Sequence, residues 1–189
     1  MTVFGCKKQA GTVENLKAAI TGETTASAKY AAYAKKAKEE KFEKIGKLFE
    51  AASRAEAIHA RKHADVLSTM GVKMDPITPQ FAVKSTRENL LDAIQGESHE
   101  IDSMYPDFIK KAQDEGKDDA EGSFDYAFQV EKVHLALYKG AQTALDKNDF
   151  AGLADFYAVC PVCGNTIAGN APDNCSICGV SGADFIIMK

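Results

Sequence analysis

The chain has 189 residues, enough for one ordinary domain and a small additional module. Its 45% hydrophobic and 26% charged residues are typical of a soluble globular protein, and its net charge of −4 gives no indication of nucleic-acid binding. No apolar run is long enough for a transmembrane helix, and residues 1–11 lack the apolar stretch of a signal peptide. We therefore expect a cytoplasmic protein without membrane contact, in which the five cysteines are metal ligands or free thiols.

Residues 12–150 are poor in glycine and proline and rich in alanine, lysine and glutamate, a composition that favours helix. Four helices are predicted, over roughly residues 12–40, 42–70, 85–115 and 118–147. Ser85, with Glu88 three residues later, predicts a capped start of the third helix, which Pro106 is expected to bend. The short outer connections predict two antiparallel hairpins, and the longer middle connector can cross the bundle.

In every predicted helix a glutamate lies in the middle of the apolar stripe that would face the bundle core. These residues are Glu23, Glu56, Glu97 and Glu131. Burial of one unpaired carboxylate costs several kcal/mol, and four buried together would also repel one another. A strongly positive group must therefore lie between them, and two divalent cations would meet this need.

The glutamates belong to an internal repeat with an offset of 74 or 75 residues. The repeat pairs Gly22-Glu23 with Gly96-Glu97, Tyr30 with Tyr105, and Glu56-x-x-His59 with Glu131-x-x-His134. The i, i+3 spacing places each Glu and His on one helix face, where both can reach the same pair of metals. One Glu from each of two helices and Glu-x-x-His from each of the other two is the di-iron or di-manganese carboxylate arrangement. These ligands suit iron or manganese, with zinc as a possible substitute.

Four further residues near the stripes each allow a structural and a functional interpretation. Glu100 breaks the repeat, because Ala26 is its counterpart, and it is either a solvated helix residue or a seventh ligand. His63 lies one turn beyond the first ligand histidine and is expected to pack behind the metals, with occasional ligation as the alternative. Tyr30 and Tyr105 are expected to pack in the core, to hydrogen-bond to a ligand glutamate, or both.

After residue 150 glycine and four of the five cysteines concentrate, so we predict two domains, residues 1–150 and 151–189. Two Cys-x-x-Cys-Gly motifs contribute Cys160, Cys163, Cys175 and Cys178. Their spacing lets four sulfurs bind one iron or zinc ion. The motifs alone favour structural zinc, whereas the adjacent iron-type bundle favours iron, because a redox enzyme needs an entry point for electrons. We interpret Cys6, far from the motifs, as an incidental thiol.

From about Thr12 to Met188 the chain resembles the rubrerythrin family. The matching segments are Gly22-Glu23 to Tyr30, Glu56-Ala-Ile-His59, Gly96-Glu97-Ser-His-Glu100, Met104-Tyr105-Pro106, Glu131-Lys-Val-His134 and the two cysteine motifs. The resemblance implies an all-α, ferritin-like four-helix bundle that holds two irons, followed by a small rubredoxin-like domain with one Fe(Cys)4 centre. That domain departs from the family pattern where Asn165 replaces a usual aromatic residue and Ser176 replaces a common proline. Both departures bear on the potential and the solvent shielding of the centre.

The resemblance also implies a role for every predicted ligand of the bundle. Glu56 and Glu131 are implied to bridge the two irons. The implied terminal ligands are Glu23 on one iron and Glu97 with His134 on the other. The remaining position on the first iron is implied to alternate between His59 in the reduced state and Glu100 in the oxidised state. This exchange is chemically sensible, because ferric iron prefers an anionic oxygen and ferrous iron tolerates neutral imidazole.

The function implied by the resemblance is that of a non-haem di-iron peroxidase that reduces hydrogen peroxide to water and protects against oxidative stress. The Fe(Cys)4 centre would return electrons singly from an external donor, a rubredoxin or an NADH-linked reductase. We also expect a homodimer or higher homo-oligomer in which one subunit's cysteine domain lies near the other's di-iron site. Two alternatives remain: a ferritin-like ferroxidase or iron-handling protein with a structural zinc knuckle, and a non-enzymatic metal-binding protein.

Overall fold

The computed structural model describes residues 10–189. Its helices are α1 (Ala10–Glu39), α2 (Glu43–Thr69), α3 (Thr86–His99), α4 (Tyr105–Asp114) and α5 (Asp118–Lys147). Helices α1 and α2 pack along each other as one hairpin, and α3 and α4 together pack along α5 as the second. The two hairpins form the predicted four-helix bundle, and Ser85 caps α3 in a capping box with Glu88. Within residues 10–189 no helix is both long and apolar enough to cross a membrane.

A π-helical segment, Glu100–Met104, separates α3 from α4. The prediction of one continuous third α-helix is therefore wrong in this respect. The helix widens to π-helical turns just before Pro106, which lies in the first turn of α4. Proline has no N–H to donate to the carbonyl four residues earlier, and its ring crowds that carbonyl, so a wider turn relieves both problems. A π turn also accommodates one extra residue. The repeat offset rises by one across this segment, from 74 at Glu97 to 75 at Tyr105.

The apolar core of the bundle consists of two clusters at opposite ends of the carboxylate layer. One cluster contains Tyr30, Phe49 and Tyr138, and the other contains Leu16 and Phe124. Along each hairpin the predicted ligand positions separate members of one cluster from members of the other. Tight packing at both ends fixes the helices, and therefore fixes the side chains that lie between the clusters.

The cysteine domain is built on a three-stranded antiparallel sheet in the order β2-β1-β3. Its strands are β1 (Tyr157–Val159), β2 (Thr166–Ala168) and β3 (Ile186–Met188). Tyr157 and Val159 belong to the same apolar cluster as the core of the bundle, and Lys47 donates to the Asp155 carbonyl at 2.7 Å. The cysteine domain therefore packs directly on the bundle of its own chain. A boundary at residues 150 and 151 stays a prediction.

Candidate metal centres

The buried layer in the middle of the bundle contains six of the seven predicted bundle ligands. Four of them, Glu23, Glu56, His59 and Glu131, form one group whose ligand atoms all lie within 4.8 Å of one another. A second group with the same property consists of Glu56, Glu97, Glu131 and His134. We call these groups the first and second metal positions; they share two carboxylates. Each of the six residues is at most 2% exposed to solvent.

The polar atoms of this layer point at shared centres rather than at one another. The Nδ1 atom of His59 lies 2.9 Å from Glu56 and 2.8 Å from Glu131, and the Nδ1 atom of His134 lies 3.1 Å and 2.8 Å from the same two carboxylates. Of these contacts only that between His134 and Glu131 has the geometry of a hydrogen bond. Both oxygens of Glu56, one oxygen of Glu23 and Nδ1 of His59 are buried without a partner. Orphaned buried polar atoms are costly, so this donor set fits two cations.

Burial and repulsion shift the acid–base equilibria of the layer. Burial, followed by repulsion from Glu131, raises the pKa of both Glu23 and Glu97 well above the usual range. Burial opposes the charged form of His134, but Glu56 and Glu131 raise its pKa to about 9. Burial also opposes ionisation of Glu131, yet the neighbouring histidines lower its pKa. The layer thus carries negative charge that protons balance in part and that bound divalent cations would balance fully.

Glu100 lies at the start of the π-helical segment and is partly buried. Burial raises the pKa of its carboxyl, and repulsion from Glu23, Glu131 and Glu56 raises it further. Its carboxyl therefore lies near the first metal position, although it is not among the groups whose ligand atoms converge within 4.8 Å. This environment differs from that of a fully solvated helix residue.

The cysteine domain accepts a hydrogen bond from the Nε2 atom of each ligand histidine, the ring nitrogen that points away from the carboxylates. The Nε2 atom of His59 lies 3.0 Å from the Cys163 carbonyl, and the Nε2 atom of His134 lies 3.0 Å from Thr166 Oγ1. Thr166 donates its own hydroxyl hydrogen to the Gly164 carbonyl at 3.0 Å, so its oxygen accepts from His134. Both imidazoles therefore carry hydrogen on Nε2, which leaves Nδ1 as the atom that would bind a metal. In the metal-free protein Nδ1 of His134 instead donates to Glu131. The structure makes the contact between Nε2 and the cysteine domain within one chain, and the expected placement of a partner subunit's cysteine domain near the di-iron site stays a prediction.

Gly164 makes this approach possible. Its φ is +81°, and an added Cβ would lie 2.6 Å from Nε2 of His59. The sequence indicated that this glycine permits a tight turn beside a cysteine. The second reason for a glycine at this position is the close contact with His59. This contact depends on how the two domains pack, so no sequence pattern indicates it.

The two tyrosines of the repeat cross the bundle to the terminal glutamates. Tyr30 donates to Glu97 at 2.7 Å, and Tyr105 donates to Glu23 in a short hydrogen bond. His63 stands outside both metal positions, with its Nε2 atom 3.2 Å from the Tyr105 hydroxyl. These hydrogen bonds orient the carboxylates from behind.

His63 connects this network to the surface. Its Nδ1 atom lies 2.7 Å from the hydroxyl of Ser123, which lines a cavity of about 380 Å³ together with Lys62, Asp65 and Tyr126. Burial lowers the pKa of His63 to about 3, so the imidazole is neutral at physiological pH. The sequence placed His63 behind the metals but gave no sign of this hydrogen-bonded chain, because Ser123 is remote from it in sequence.

The four cysteines of the two motifs also converge. Their sulfurs all lie within 4.8 Å of one another, with 3.5 Å between Cys160 and Cys178 and between Cys163 and Cys175. These distances are too long for disulfides and match the spacing of sulfurs around one tetrahedral metal. Cys6 lies outside the described residues.

The comparisons with known proteins agree with this architecture. The profile of the rubrerythrin family matches residues 14–142. Rubrerythrin-2 from Clostridium acetobutylicum is 34% identical over 94% of this chain and 97% of its own length, and nigerythrin from Nitratidesulfovibrio vulgaris is 40% identical over 88% and 81%. The structure of fully reduced, all-ferrous nigerythrin matches with a TM-score of 0.85 and 37% identity, over 94% of this chain and 86% of that one.

Fold and donor set together define a ferritin-like di-iron protein with a rubredoxin-like module. The chain belongs to the rubrerythrin family. Family membership and the carboxylate, histidine and thiolate donors together indicate iron as the metal.

Proposed function

We propose that this protein is a peroxidase that reduces hydrogen peroxide to water at its di-iron site, with electrons relayed through the Fe(Cys)4 centre. The observation that carries this proposal is the 3.0 Å contact between His59 and the carbonyl of Cys163. One residue is a ligand of the cysteine cluster and the other belongs to the first metal position. A ferritin-like ferroxidase or a structural zinc knuckle gives no reason for this direct connection, whereas an electron relay requires one.

Each metal position would hold one iron, with Glu56 and Glu131 shared between the two. Glu23 and His59 would complete the first position, and the terminal ligands of the second would be Glu97 and His134. Glu100 would enter the first position in the oxidised state. When bound, the iron pair supplies two electrons and open coordination sites for peroxide.

The reduction of one peroxide to two waters consumes two electrons and two protons, so the buried site also needs a source of protons. The hydrogen-bonded chain Ser123–His63–Tyr105–Glu23 leads from the surface cavity to the first metal position. Tyr105 donates to Glu23, so its oxygen accepts from Nε2 of His63, and Nδ1 of His63 accepts from Ser123. Every member can pass one proton inward and receive one from the side of the cavity.

The external electron donor, a rubredoxin or an NADH-linked reductase, and a homodimeric or larger assembly are part of the same proposal. In either oligomeric form the external donor would deliver electrons at the surface of the cysteine domain. Electrons would then pass through the iron of the Fe(Cys)4 centre, called the S4 iron below, and through the Cys163 carbonyl and His59 to the iron pair.

The relay is tested by replacing Cys175 and Cys178 with Ser, which removes two thiolates and leaves the Cys163 carbonyl in place. After chemical reduction, this variant should oxidise its iron pair with peroxide once, at a near wild-type rate, and should fail in multiple turnover with a protein donor. A Cys6→Ser variant is the matched control and should keep full turnover. Full steady-state activity of the folded double variant without the S4 iron would refute the relay.

A further inference from the structure

Asn165 is an unusual residue for the interior of the cysteine domain, because it is polar and only 1% exposed. Its side-chain Nδ2 atom lies 3.6 Å from the sulfur of Cys175 and 3.5 Å from the hydroxyl of Ser176. Its Oδ1 atom is buried without a hydrogen-bond partner. The two positions at which the chain departs from the family pattern therefore touch each other beside one sulfur of the metal site.

The chemistry of a thiolate fixes the direction of this contact. Once a metal is bound, Cys175 is a thiolate and can only accept a hydrogen bond, whereas an amide offers donors on nitrogen and an acceptor on oxygen. The opposite orientation of the amide would place the negative end of its dipole against the negative sulfur. The orphaned Oδ1 atom is the cost of this orientation, which indicates that the contact between nitrogen and sulfur compensates for it.

We propose that Asn165 tunes the S4 iron, by donating a side-chain N–H to Cys175 and thereby raising the reduction potential of the centre. The inference rests on the proposed iron in the cysteine cluster. When the centre takes one electron from the external donor, ferric Fe(Cys)4 with a net charge of −1 becomes ferrous Fe(Cys)4 with a net charge of −2. A hydrogen bond to sulfur stabilises the more negative state more strongly, so it favours reduction.

Ser176 is an exposed second acceptor for the same amide. A hydrogen bond to the serine hydroxyl would draw the N–H away from the sulfur. Asn165 and Ser176 would then set the potential together, with the amide raising it and the hydroxyl limiting the rise.

The proposal is tested by measuring the reduction potential of the S4 iron in the full chain by spectroelectrochemistry, which does not depend on peroxidase activity. Asn165→Leu removes the donor at similar volume and should lower the potential. Asn165→Asp keeps the shape, places a carboxylate beside the sulfur, and should lower the potential at least as far. Asn170→Leu, the same change at an exposed position of the domain, is the control and should leave the potential unchanged.

An unchanged or higher potential in Asn165→Leu would overturn the proposal. If that variant does not retain iron, Asn165→Asp decides in the same way. Ser176→Ala, at an exposed position, provides a third check and should give a potential equal to or above that of the wild type, so a lower value would also contradict the assignment. A wild-type protein without a red ferric S4 centre would instead contradict the proposed cofactor, which separates the two failures.

Discussion

The two metal positions are related by the internal repeat, yet their surroundings differ. The terminal glutamate of each accepts a hydrogen bond from a tyrosine of the other hairpin, Tyr105 for Glu23 and Tyr30 for Glu97. Behind Tyr105 stands His63, which leads to Ser123 and a surface cavity.

Behind Tyr30 stands Tyr138, the repeat counterpart of His63, with ring centroids 5.5 Å apart. Its hydroxyl is buried and makes no hydrogen bond that leads to the surface within the described residues. The counterpart of Ser123 is Leu48, which is also buried. The second metal position is therefore closed off from solvent on the side where the first is connected to it.

Glu100 adds to the difference on the same side. Its counterpart is Ala26, and the π-helical segment that begins at Glu100 has no equivalent in α1. The six symmetric residues are those whose ligand atoms converge in the two metal positions, whereas the unsymmetric ones lie around the first metal position. We therefore expect metal binding to depend on the residues that the repeat shares, and redox chemistry to depend on the residues that it does not share.

Replacement of a shared carboxylate is expected to have the largest effect, because it removes what the two positions have in common. Glu131→Ala should lose both bundle irons and keep the S4 iron, so iron falls from roughly three per chain to one. Metal analysis combined with the visible spectrum measures this, and Glu14→Ala on the exposed surface is the control. Unchanged iron content in Glu131→Ala would contradict the shared role of this carboxylate.

The next largest effect is expected from interrupting the hydrogen-bonded chain that connects the first metal position to the surface. His63→Leu removes the hydrogen-bonding group behind Tyr105, so that no hydrogen-bonded chain leads to the surface, as is the case behind Tyr30. It should slow peroxide turnover about tenfold or more while leaving iron content unchanged. The solvent deuterium isotope effect on turnover should rise, because proton delivery becomes limiting. Tyr138→Phe is the matched control at the unconnected position and should change neither quantity. Wild-type turnover and isotope effect in His63→Leu would show that protons enter elsewhere.

A smaller effect is expected from removal of the extra carboxylate. Glu100→Ala makes this position match Ala26 of the first hairpin, and should still bind two ferrous ions through the six symmetric residues. It should stabilise the ferric state less well and turn over several-fold more slowly. An unchanged diferric spectrum together with unchanged turnover would return Glu100 to a purely structural role.

The smallest effect is expected on the stability of the metal-free protein, in which bound protons balance part of the negative charge of the carboxylates. The pKa of His134 is raised to about 9 from its ordinary 6.5, so its stabilising contribution is complete below about pH 6.5 and is lost as pH rises through about 9. The free energy of unfolding in urea should fall by up to about 3 kcal/mol between pH 6 and pH 9.5. His134→Gln should show a smaller fall, and the raised pKa values of Glu23 and Glu97 account for what remains. Equal stability of the wild type at both pH values would contradict the assigned charge balance.

The sequence was sufficient to predict the four-helix bundle, because a glutamate in each apolar stripe has few physical explanations. The π-helical segment was missed, although the rise in repeat offset between Glu97 and Tyr105 marks one inserted residue. The contact between Gly164 and His59 could not be predicted, because it depends on how two domains pack. The same holds for the link from His63 to Ser123, which joins different helices through side chains alone.

In the proposed relay the cysteine domain delivers electrons to the iron pair through the contact between Cys163 and His59. Its most direct test is to mix fully reduced protein with a limiting amount of peroxide, without oxygen or donor, and to follow the red absorbance of the ferric S4 centre. We expect this absorbance to appear after oxidation of the iron pair, at a rate that does not depend on protein concentration. Gly164→Ala, whose Cβ would lie 2.6 Å from Nε2 of His59, should slow it in the fraction of molecules that retains the S4 iron. An S4 centre that stays ferrous after the iron pair is oxidised would contradict the claim.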